Sequence, residues 1–135
     1  MHPNNRCQNY NYFSFISDRD KGIIEAVKNI FPNNHHLHCV VHIKRNVLKH
    51  GIPASKCVSK ICYTFNMQQE DQWLNELQVQ SVPAYQQIMN IDCKTWRSTS
   101  WIIHTDLPPR FGIVTSNYAE STNSMFVRNL KKFTF

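Results

Sequence analysis

No stretch of this sequence approaches the roughly 18 consecutive apolar residues that a membrane-spanning helix needs, so a helical membrane anchor is not expected. The opening residues, MHPNNRCQNYNYF, also lack an uninterrupted apolar core. They place Asn, Arg and His where a secretion signal would be hydrophobic. The five cysteines are an odd number at irregular spacings, which disfavours a disulfide framework and suits reduced thiols in a cytosolic or nuclear setting. Internal repeats are missing, and the one biased tract is the Asn-rich start. Residues 1–11 therefore read as a poorly ordered terminus. At 135 residues the chain has room for one compact domain and none for a second independent core.

What is present is an apolar fraction of 41%, in the range of a globular domain, and a basic balance. Lys and Arg number 15 against 9 Asp and Glu, a formal charge of +6 that would draw the chain toward a polyanion such as nucleic acid. The excess is modest, and many soluble basic proteins bind no DNA.

Hydrophobic periodicity organises the rest. Tyr12 to Ser17 is a short aromatic and β-branched run that reads as a buried strand. Ile23, Ile24, Val27, Ile30 and Phe31 recur at helical spacing until Pro32 stops them. His36 to Val41 then reads as a second strand, with Leu37, Cys39 and Val41 on one face. A strand, helix, strand order favours parallel pairing through a crossover. From His42 the period is helical, with Ile43, Val47 and Leu48 inward and Arg45 and Lys49 outward; Gly51 and Pro53 close that helix and open the next. Val58, Ile61, Cys62 and Phe65 make one further stripe and Trp73, Leu74 and Leu77 another. Pro83 starts a shorter helix carrying Tyr85, Ile88 and Met89, and Trp96 and Trp101 fall in a region without a clear period. Asp106 to Gly112 reads as a loop, and a last helix begins near Asn117 with Ala119, Thr122 and Phe126 on one side. Two strands make a poor independent sheet, so the pattern looks like part of an α/β domain.

Three blocks carry a resemblance: FISDRDKG from Phe15 to Gly22, FPNNHHLHCVVHIKRN from Phe31 to Asn46, and FGIVTSNYAESTNS from Phe111 to Ser124. In this order, with a Trp-containing helical insertion between the second and third, they resemble the transposase domain of Mutator-like elements. The resemblance implies a partial RNase H-like α/β fold over residues 12–135, with two parallel strands remaining and a helical insertion over about 53–105. It also implies DDE chemistry, in which three carboxylates hold two divalent ions, magnesium or manganese, for DNA cleavage and strand transfer. The family's second acid maps onto Asp18 and its third onto Glu120, 102 positions apart (120 − 18). The same resemblance implies DNA as partner, a nuclear location, and active-site or DNA proximity for Cys39, His42, Lys44, Arg45, Asn117 and Asn123. The family's first Asp has no counterpart here, so two carboxylates face a task for three and the isolated chain is expected neither to cleave nor to join DNA. An uncovered sheet edge would then call for a homo-oligomer or a complementing chain.

Each site residue also has a structural explanation. Asp18 stands where an acid favours a helix N-terminus. Asn117 and Glu120 match a capping box. If Asp18 and Glu120 instead share metals, their carboxylates should converge to within roughly 8 Å. Cys39 and His42, crowded by His35, His36 and His38, suggest zinc, but Cys57 and Cys62 are spaced awkwardly for joint chelation and a zinc site is not expected. Cys39 reads better as a core thiol. Lys44, Arg45, Lys49, Lys56 and Lys60 could follow a DNA backbone or form a solvated face, and Trp73, Trp96 and Trp101 read as core. A transposase-derived domain, a domesticated DNA- or protein-binding regulator, and a small zinc module remain as the competing functions.

Overall fold

The structure, a computed structural model, describes residues 14–104, 106 and 107. Strand β1 (Phe15–Ser17) pairs in parallel with β2 (His36–His38), with Phe15 opposite His36, Ile16 opposite Leu37 and Ser17 opposite His38. Parallel neighbours need a crossover, and helix α1 (Lys21–Ile30) supplies it. Asp20 sets its start: its backbone is extended and its Oδ1 accepts the Ile23 N–H at 3.1 Å. The helix ends where the Phe31 N–H reaches the Val27 carbonyl, with Pro32 following. The Phe31 ring packs against Phe15 at 4.8 Å between centroids, which ties the end of α1 to the start of β1. The apolar positions expected to face a core are only partly covered, however. No residue of α1 is buried, and Ile23 and Ile30 are 41% and 68% exposed.

The second strand is shorter than its sequence pattern suggests. It stops at His38, and helix α2 (Val40–Leu48) starts at Val40 rather than after Val41. Cys39 is the hinge between the two. Its extended backbone sends its N–H to the Ser17 carbonyl at 2.7 Å and offers its own carbonyl to the Ile43 N–H at 3.2 Å. Val40, Ile43 and Val47, at i, i+3 and i+7, are the buried stripe that results, whereas Leu48 is 49% exposed.

Gly51, at φ 112°, turns the chain in a conformation that a side chain would resist, and Pro53 sits in the first turn of α3 (Ile52–Tyr63). Helix α4 (Met67–Gln80) is capped by Asn66, whose side chain accepts from the Gln69 N–H, and α5 (Val82–Met89) by Ser81, with Pro83 in its first turn. The core lies among α2 to α5. Val47, Val58, Ile61, Cys62, Leu77 and Ile88 are fully buried there, each contributing about 1.5–3 kcal/mol for the larger aliphatic side chains. Phe65 falls outside this stripe because α3 ends at Tyr63; it is exposed, as is Met89 on α5.

After α5 a 3-10 turn (Cys93–Thr95) and a short helix α6 (Ser100–Ile103) carry a segment that the sequence left unassigned. Trp96 is buried, and the polar run Arg97, Ser98, Thr99, Ser100 is buried beside it. The run is accommodated by specific partners. Ser98 Oγ donates to the Cys62 carbonyl, Ser100 Oγ to the Cys93 carbonyl and Thr99 Oγ1 to the Glu70 carboxylate. The His35 ring, hydrogen-bonded through Nε2 to the Lys94 carbonyl at 2.7 Å, ties the strand region to this turn. The described residues are thus mixed α/β, mostly helical, with two parallel strands. The expected last helix, with Asn117, Glu120 and Asn123, lies outside the described residues.

Candidate functional site

Both strands end at an open cleft of about 600 Å³. Open α/β sheets bind their ligands beyond the carboxyl ends of the strands, and this cleft occupies that place. The turn after β1 supplies Asp18, Arg19 and Asp20 to its lining. His38 comes from the end of β2, and His42, Arg45 and Asn46 come from α2. The opposite wall is the turn after α5, with Asn90, Ile91 and Asp92.

Asp18 faces this cleft at the carboxyl end of β1. The helix-capping role that its position suggests belongs to Asp20, two residues on. Asp18 Oδ1 accepts the Asp20 N–H at 3.2 Å. Its backbone is held as well, since Ser17 Oγ donates to the Asp18 carbonyl at 2.7 Å. With that proton committed, the 2.6 Å contact between Ser17 Oγ and His36 makes His36 Nε2 the donor. A three-residue chain therefore runs from β2 through β1 to the acid.

His38 stands in the same cleft with its Nδ1 buried and no protein partner among the described residues. Burial lowers its pKa to about 4, helped by His36, Arg19 and His35 and opposed by Asp92. The His36 pKa is lowered by burial and then by His35. An unfolded histidine takes up its proton near pH 6.5, while the folded His38 resists down to about 4. The unfolded state thus binds more protons in this window, and stability falls as pH drops through it. Between pH 7.5 and 5 the His38 contribution should cost about 1 kcal/mol, after discounting for the part of the ring that water screens. Urea midpoints at the two pH values check this; His38→Gln should flatten the difference, and an unchanged difference would mean that His38 is not its source.

The Cys39 and His42 pair is divided by the fold. Cys39 is a fully buried thiol, as expected, whereas His42 lines the cleft. Among the described residues no group of three His, Cys, Asp or Glu side chains is placed to hold a metal ion. The basic residues divide too. Arg45 reaches the cleft, Lys44 does not, and Lys60 lies over the Trp73 ring at 3.8 Å from its centroid. Sequence reasoning missed Arg19, His38, Asn46, Asn90 and Asp92 as cleft residues. Arg19 lay inside a resemblance block and could have been flagged; nothing in the sequence points to Asn90 or Asp92.

No curated protein and no solved structure matches the chain. A family model described as "Transposase, Mutator family" matches residues 10–135, which takes in both strands, the cleft and the whole helical segment. The chain belongs to the Mutator family of transposases.

Proposed function

We propose that the chain provides the second and third acids, Asp18 and Glu120, of a DDE-type phosphodiester site on an RNase H-like domain, and that its partner is DNA in the nucleus. The observation that carries this reading is the position of Asp18: it faces a cleft at the carboxyl end of a parallel strand, and Asp20 relieves it of capping the helix. The hydrogen-bonded chain from His36 through Ser17 holds the backbone of Asp18 in place. Arg19 and Arg45 supply positive charge beside it for a phosphate.

A magnesium or manganese ion held by this pair of acids would activate a water or a DNA 3′-hydroxyl and stabilise the leaving oxygen. The described residues contribute one carboxylate of that pair, Asp18, and among them no group of three ligands is placed to hold the ion. Cation binding is the direct test. In proton NMR spectra, manganese added to the chain should broaden resonances around Asp18 and around Glu120 together, and Asp18→Asn or Glu120→Gln should weaken binding at least about tenfold. Broadening confined to one acid would mean that the two do not share a site. DNA binding without any cation binding would favour a regulator that has kept the surface and not the chemistry.

A further inference from the structure

The cleft does not have the charge of a surface built for a long stretch of duplex. Among the described residues three acids, Asp18, Asp20 and Asp92, stand against three bases, Arg19, Lys21 and Arg45, so no single sign dominates there. Proteins that track a duplex backbone by charge alone use an excess of Lys and Arg over many phosphates. A balanced cleft suits a short segment, in which the bases meet a phosphate while other parts of the ligand meet other chemistry.

That other chemistry is present on the two walls. Asn46 from α2 and Asn90 after α5 are exposed amides, each with donors and an acceptor of the kind that read the edge of a base. Ile91, only 4% exposed overall, still contributes to the lining, and Ile24 adds a second apolar group. A volume of about 600 Å³ is that of a small-molecule pocket. In a duplex the pairing edges of the bases are occupied and stacked, whereas an unpaired nucleotide presents both edge and face.

We infer that this cleft takes an unpaired nucleotide of a DNA strand, with its phosphate toward Arg19 and Arg45 and its base between Asn46 and Asn90. The inference rests on the DNA reading above and narrows it, and it gives the turn after α5 a role in binding. The helical segment thereby supplies one wall of the site, and the strand region supplies the other.

Fluorescence anisotropy of the full chain with one labelled oligonucleotide tests it. The DNA is presented as a single strand, as a blunt duplex, and as a duplex with an unpaired 3′ end. The single strand and the unpaired end should bind about tenfold more tightly than the blunt duplex. Arg45→Ala, an exposed position, should weaken single-strand binding about fivefold and reduce the slope of log affinity against log salt by about 0.7. Asn46→Ala and Asn90→Ala should leave that slope unchanged and alter the preference among homopolymers of different bases. Circular dichroism confirms that each variant is folded. Equal affinity for the blunt duplex would overturn the inference and leave the DNA reading standing. Weakening by Lys56→Ala, outside the cleft, with no effect of Arg45→Ala would do the same. Absence of salt-dependent binding to every form would remove both.

Discussion

Glu70→Ala should lower the unfolding free energy by about 2–3 kcal/mol and the melting temperature by about 8–12 °C. Glu70 and Arg97 come from α4 and from the segment after α5, with side chains 13% and 8% exposed, and their nearest charged atoms are 3.8 Å apart. The separation is too long for a close ion pair, which puts the effect at the lower end for a buried charge that loses its partner. Glu70 also accepts the Thr99 hydroxyl, so its removal leaves that hydroxyl without its acceptor and Arg97 without the carboxylate beside it. Arg97 would keep the Met89 sulfur, at 3.3 Å from Nη2, and the Trp96 ring, at 5.2 Å. Neither is an anion. The companion variant Glu70→Ala with Arg97→Met removes both charges and keeps an apolar stem of similar length, and it should recover at least half of the loss. Thermal unfolding of the four proteins completes a double-mutant cycle, and strictly additive losses would show that the pair is not coupled.

The buried polar run around this pair marks where sequence reasoning stops. Helices α2 to α5 announce themselves because an apolar stripe at i, i+3 and i+4 records which face is covered: Val58, Ile61 and Cys62 are all fully buried, as their spacing implies. Gly51, Pro53 and Pro83 mark ends for stereochemical reasons that need no tertiary information. Arg97, Ser98, Thr99 and Ser100 offer no such record. They are polar, yet buried: the Cys62 and Cys93 carbonyls and the Glu70 carboxylate accept the hydroxyls of Ser98, Ser100 and Thr99, and Arg97 lies beside Glu70.

The junction between β2 and α2 was ambiguous for a different reason. Leu37, Cys39 and Val41 alternate like a strand, while Val40, Ile43 and Val47 repeat like a helix, and over so few residues both periods fit. The helix wins because Cys39 can end the β ladder and begin the helix with the same peptide units. The site shows the same division. Asp18 is legible through a motif, but whether Asp18 or Asp20 caps α1 depends on the bend after β1. The far wall of the cleft, Asn90 to Asp92, is brought opposite Asp18 only by the packing of the helical segment.

Trp96→Ala should be the most damaging single change, at about 3–5 kcal/mol. Small domains have a total stability of about 5–15 kcal/mol, so this variant should sit near or past the point of unfolding at 37 °C. The residue is 1% exposed within the cluster formed by α2 to α5, and its loss opens a cavity that helices fixed by Ile61, Leu77 and Ile88 can fill only in part. Its backbone matters separately: the Trp96 carbonyl accepts the Cys62 thiol at 3.2 Å, and substitution leaves that contact available. The measured loss should therefore report the ring. Trp101→Ala provides the contrast, because its ring is half-buried and meets His35 edge-on at 5.8 Å between centroids; about 1–2 kcal/mol is expected there. Trp96→Phe should recover more than half of the alanine loss by refilling most of the cavity. Thermal unfolding followed by circular dichroism ranks the three. Equal melting temperatures for the two alanine variants would mean that Trp96 is not the packing centre of the helical segment, and the wall of the cleft that this segment carries would lose its structural support.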